Sequence, residues 1–280
     1  MTQVMSEIPG TRPTVTRAVL AMTARDLRVI RRTSAMNAVR IVLQPLLFVF
    51  VFAYVLPKIT AAGGAAYSSP GGTDFSTIMV PGLVGSTMMM QSMATVIFPT
   101  VMELSRPGAM DDRALAPLPV NLIGLQRIVE AMIEGLLAGL LVFPVVLFVH
   151  ARGQQPAIHV GDWPLLVLVM LAGVLLAASL GLYIGTVINP RQVQVLFTLV
   201  MFPAMMLGCV YFRWTTLSSV RWLQILVLVN PMVYLNEGLR AALTPQLSHM
   251  PLWGFLTALI AGSALFTYLS LRSFVNRVTR

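Results

Sequence analysis

Glu130 and Glu134 stand four residues apart in an otherwise apolar stretch, with Arg127 three residues before the first of them. On a helix that spacing gathers all three on one face. Acids in apolar surroundings are costly and turn toward protein or water. Two readings follow: a polar lining that handles charge or protons, or an interfacial charge cluster neutralised by Arg127. A denser group lies in ELSRPGAMDDRALAPLPV at 103–120, where Glu103, Arg106, Asp111, Asp112 and Arg113 occur in a chain that is only 10% charged. Such a loop is suited to meet a partner in water. A further pair, Glu237 and Arg240, is three residues apart behind Asn230-Pro231, and the spacing lets the two charges pair.

The usual enzymatic constellations are missing from the sequence. Lys58 is the sole lysine and has no GxxxxGK[ST] context, so the chain has no phosphate-cradling nucleotide loop. His150, His159 and His249 form no Cys/His cluster with metal-ligand spacing, and Cys209 is the single cysteine. Ser86, after Gly85, has no histidine within the apolar runs to activate it. No catalytic, cofactor or metal site is therefore expected. Met88, Met89, Met90, Met201, Met205 and Met206 either form an adaptable surface for a greasy molecule or pack and face lipid.

The elements that must position these groups are membrane spans. The chain is 57% hydrophobic, and the runs 75–102, 163–190, 192–212 and 241–271 contain no Asp, Glu, Lys or Arg. Each exceeds the roughly 18 apolar residues that suffice to cross a bilayer as a helix. Two shorter runs, 41–56 and 135–149, reach full length by borrowing flanking residues. The expectation is an all-α integral membrane protein with six transmembrane helices, near 40–57, 76–102, 122–149, 164–188, 193–211 and 252–271.

With six spans both termini share a side, and fourteen of the nineteen basic residues fall on it. The positive-inside rule places both termini and the 103–120 loop in the cytoplasm. The net charge of +9 reflects this topology and anionic headgroups rather than nucleic acid, because the arginines flank spans instead of interleaving with stacking aromatics. The amino-terminal segment lacks the pattern of a cleaved signal peptide.

Residues 1–13 are polar and expected to be a mobile tail. Over 14–36 a helix is expected, with Arg17, Arg25, Arg28, Arg31 and Arg32 on one side and Val19, Leu20, Met22, Leu27 and Ile30 on the other. It should lie on the cytoplasmic membrane surface as an amphipathic interface helix. Asp26 falls within its apolar arc, which suits a contact with protein. Residues 37–280 then form a single transmembrane domain. The Gly- and Ser-rich segment 57–74 is an external connector. Between spans five and six, Asn230-Pro231 interrupts an uncharged run, because proline lacks a backbone donor and restricts the residue before it. Two short re-entrant helices are expected there, near 216–229 and 232–243, either closing the external end of the pathway with Glu237 at the water–membrane boundary or forming a structural hairpin that only shortens the loop.

Three segments carry a family resemblance: ARDLRVIRR at 24–32, the 103–120 loop, and NPMVYLNEGLRAAL at 230–243. Together they resemble the membrane subunit of ATP-binding-cassette exporters of the type-2, or drug-resistance, permease family. The loop departs from the usual pattern at Pro107 and at Asp111-Asp112. The resemblance implies that the loop forms a coupling helix, with Glu103, Arg106, Asp111, Asp112 and Arg113 against a cytoplasmic ATPase. It also implies that ATP and Mg bind to that partner, that two permease copies or paralogues form the pore, and that the amino-terminal helix is a membrane-surface collar. An exporter permease for an amphipathic, lipid-like or drug-like molecule in a bacterial plasma membrane is the resulting expectation. A proton-coupled secondary transporter using Glu130 and Glu134, and a polysaccharide or glycolipid exporter permease, are the alternatives.

Overall fold

The computed structural model describes residues 75–105, 120–148 and 158–278, together with positions 43, 46, 47, 50 and 51. The tail 1–13, the interface helix with Arg25, Asp26, Arg28, Arg31 and Arg32, and most of the first span lie outside the described residues. So do the loop residues Arg106, Asp111, Asp112 and Arg113.

The described residues are helical, without strands. Helix α1 runs Phe75–Leu104 and α2 runs Val120–Phe148. Helix α3, Trp163–Val187, begins where the Asp162 side chain accepts from the Leu165 amide and Pro164 occupies the first turn, a preformed helix start. Helix α4 is Val193–Met206, α5 is Arg221–Leu226, α6 is Pro231–Leu243 and α7 is Leu252–Val278. Helix α2 runs antiparallel to α1, whereas α3 runs parallel to α1 and α7 parallel to α3, so the ends fall into two groups. Gly161 donates to the Ala242 carbonyl, which brings the approach to α3 to the end of α6. At the opposite end Thr186 and Ser273 meet hydroxyl to hydroxyl at 2.7 Å, joining α3 to α7.

Helix α3 is the centre of the bundle, packed against α1, α2, α6 and α7. Its core-facing Val169, Ala177 and Leu182 are fully buried, as are Met79, Leu83, Met88 and Met93 of α1 and Phe255 of α7. The outward faces are just as apolar. Leu168 and Leu171 of α3, Leu199 and Phe202 of α4, and Trp253, Ile260 and Tyr268 of α7 are all exposed. Exposing this much apolar surface to water would cost about 25 cal/mol per Å², so these faces suit lipid or a partner. Helices α3 and α7 are long and apolar enough to cross a membrane by composition alone.

Three boundaries differ from the sequence reading. Helix α4 ends at Met206 rather than 211, because Pro203 removes a donor from its last turns and the chain then turns through Gly208 and Cys209. At 1.5 Å per residue its fourteen residues reach only about 21 Å. The segment expected as one helix near 216–229 is three pieces: a 3₁₀ turn at Trp214–Ser219, then α5, then another 3₁₀ turn at Val227–Val229. Hydroxyls explain the first break, since Thr216 donates to the Arg213 carbonyl at 2.7 Å and Ser219 to that of Thr216 at 3.3 Å. Helix α7 continues past 271 to Val278, where Arg277 meets the negative end of the helix dipole.

Candidate functional site

Polar side chains gather at three depths of the bundle. The first lies on α6. Asn230 caps it, its Oδ1 accepting from the Met232 amide at 3.1 Å, and Pro231 sits at the first helical position. The Asn230 amide also donates to the Ala204 carbonyl near the end of α4, at 2.6 Å. One and a half turns on, the Asn236 amide donates to the Gly208 carbonyl at 2.7 Å.

Glu237 and Arg240, both fully buried, form the ion pair that their spacing suggests. Glu237 accepts from the backbone amides of Trp214 at 3.0 Å and Met250 at 2.9 Å. Arg240 donates to the carbonyls of Cys209 at 3.0 Å and Ile78 at 3.3 Å. Cys209 is the one non-glycine among the described residues with left-handed backbone, φ 55°, a conformation costing on the order of 1–3 kcal/mol. The buried guanidinium that binds its carbonyl helps to hold it. Thus α6 clasps the start of α1, the turn after α4 and the approach to α7. Glu237 lies inside protein, among backbone amides, rather than presented to water. Gly82 of α1 permits the clasp to close, since a Cβ there would lie 2.3 Å from the Val210 carbonyl oxygen.

The second group is at mid-length. Glu134 is fourteen residues from each end of α2, about 21 Å along the axis. Its Oε2 accepts from Gln91 Nε2 at 2.9 Å and Thr95 Oγ1 at 2.5 Å, both on α1. The helices meet closely here, because a Cβ on Gly135 would fall 1.9 Å from Ser92 Oγ.

The third group is where the 103–120 loop leaves the bundle. Arg127, largely buried on α2, pairs with Glu103 in the last turn of α1 and donates to Thr100 Oγ1 at 3.4 Å. Arg127 and Glu134 have separate partners: Arg127 reaches across to Glu103, and Glu134 reaches across to Gln91 and Thr95. Glu130 is half-buried on the same side of α2.

Of the methionines in question, Met88, Met89, Met201 and Met205 are buried. Together with Met93 and Ile97 of α1 and Ile184 of α3, Met201 lines an apolar crevice of about 20 Å³ against α4. Among the described residues no group of His, Cys, Asp and Glu could hold a metal.

Gln91, Thr95, Thr100 and Asn236 were not singled out in the sequence. Gln91 had a usable signal, being the most polar side chain in the uncharged run 75–102. Asn236 shares a face with Arg240 through a four-residue spacing. Their partners lie 27 to 43 residues away, beyond what spacing can reveal.

A search of curated proteins returns no match. A family model does match, over residues 17–244, which takes in α1 to α6 and every polar group just described. The chain is a member of the ABC-2 type transporter family, as its membrane component.

Proposed function

We propose that the chain is the membrane-spanning permease subunit of an ATP-binding-cassette exporter, forming the path for an amphipathic, lipid-like or drug-like substrate. Family membership makes it a permease component of an ABC-type transporter and implies association with an ABC ATPase subunit. ATP and Mg bind to the ATPase, on the cytoplasmic side with both termini of this chain, in a bacterial plasma membrane. Helices α1, α2, α3 and α7 cross the bilayer together with the 40–57 segment. The fifth crossing is α4 completed by the turned segment 207–212. A second permease copy or a paralogue completes the pore, and the exposed apolar faces contact it or lipid.

The observation that carries this reading is that α1 touches both ends of the machinery. Its last turn holds Glu103, bound to Arg127 where the charged loop begins, and its first turn offers the Ile78 carbonyl to Arg240. The thirty-residue helix spans about 45 Å. A force on the loop is thus delivered to a braced helix pair and carried along α1 to the α6 clasp, which acts as the external gate. The residues in these roles are Glu103, Arg106, Asp111, Asp112 and Arg113 for coupling, and Asn230, Pro231, Glu237 and Arg240 for the gate. The interface helix with Arg25, Asp26, Arg28, Arg31 and Arg32 forms the collar.

Charge reversal at Asp111 and Asp112 tests the coupling. The expected result is loss of ATPase copurification and of transport, with membrane insertion unchanged. Wild-type copurification together with persistent transport would overturn it. Membership of an ABC-type family speaks against the proton-coupled secondary transporter.

A further inference from the structure

Glu134 takes no part in the clasp or in the Glu103–Arg127 pair. It sits at the middle of α2, so on the reading above it lies near the centre of the bilayer, where a carboxylate is expensive and calls for a counter-charge. Among the described residues no cation reaches it. Its two partners, Gln91 and Thr95, are neutral and both bind Oε2. They orient the carboxylate and leave Oε1 without a partner among the described residues. Glu134 is half-buried, and Leu137 and Leu141, one and two turns further along the same face of α2, are exposed.

We propose that Glu134, oriented by Gln91 and Thr95, is a binding site for a lipophilic monocation, and that the exported substrate class includes amphipathic molecules with a delocalised or amine positive charge. The inference rests on the permease reading above. A lone carboxylate in a low-dielectric setting attracts a single positive charge strongly. The apolar flank of Leu137 and Leu141 suits a molecule whose charge is embedded in an apolar body. A divalent metal would need more oxygen ligands than this site offers.

The competing role is an interhelical hydrogen-bond staple, which glutamine would serve as well as glutamate. The test uses the full-length chain in lipid nanodiscs and radiolabelled tetraphenylphosphonium. Saturable binding is expected to weaken at least tenfold in Glu134→Gln and less in Glu134→Asp, with thermal stability of both variants close to wild type. Tetraphenylborate, of matching size and opposite charge, should not compete. Asp162→Asn, at the distant start of α3, should bind as wild type. Binding by Glu134→Gln within threefold of wild type, or equal competition by the borate, overturns the proposal. Binding needs no ATPase, so loss of cation binding with normal ATPase copurification overturns this site alone. Intact Glu134-dependent binding without any ATPase association overturns the permease reading alone.

Discussion

Arg240 shows how much a single buried charge can hold. It pairs with Glu237 and binds the carbonyls of Ile78 and Cys209, while Glu237 receives the amides of Trp214 and Met250. Removing one member of a buried pair costs on the order of 3–5 kcal/mol. Arg240→Met should therefore markedly reduce the fraction of detergent-solubilised protein that survives heating. Replacing both partners often restores stability where the pair is isolated. Here the double variant Glu237→Leu/Arg240→Met should recover less than half of the loss, because four backbone groups still lose their partners. Full recovery would mean that the backbone contacts contribute little. At this scale the charges were legible and the pairing of Glu237 with Arg240 followed from their spacing. Arg127 binding Glu103, and Glu134 binding Gln91 and Thr95, depended on which helices are neighbours.

Among the elements, α1 matters most, since α2, α3 and α6 all pack on it. Two of its contacts depend on glycine. At Gly82 an added Cβ would meet backbone of the Val210 segment, whereas at Gly135 it would first meet a side-chain hydroxyl, Ser92 Oγ. Both Gly82→Ala and Gly135→Ala should lower the yield of folded protein. Adding Ser92→Ala should partly rescue Gly135→Ala, and no single side-chain change should rescue Gly82→Ala. Equal rescue of both would contradict the backbone contact.

The broken segment before α7 yields a topology prediction at the same scale. In a Cys209→Ser background, cysteines at exposed Ser218 and Ser248 should react with an impermeant thiol reagent added outside, while those at Ser105 and Asn276 should not. Protection at Ser248 with labelling at Asn276 would mean that α5 and α6 cross the bilayer. Asn236 is a poor probe, being fully buried against Gly208. Long apolar runs made α1, α2, α3 and α6 readable to within a few residues. The end of α4 and the 3₁₀ turns were not, because hydropathy registers burial in lipid or protein but not the local competition of proline, glycine and hydroxyls for backbone groups.

For the molecule as a whole, the prediction concerns energy. The purified chain should show no ATPase activity alone, since the sequence has no phosphate loop, and should change the rate of its ATPase when the two are combined. Robust hydrolysis by the isolated chain would refute the division of labour.

Composition, run length and the placement of arginines were enough to read a helical membrane protein with one charged loop, because lipid demands long apolar helices and the cytoplasmic face retains positive charge. These are properties of consecutive residues. The clasp of α6 on α1 and α4, the separation of Arg127 from Glu134, and the seating of the Glu134 carboxylate on Gln91 and Thr95 arise from contacts between segments far apart in the chain. Only the packing of the bundle, with α3 at its centre, decides which of those segments touch.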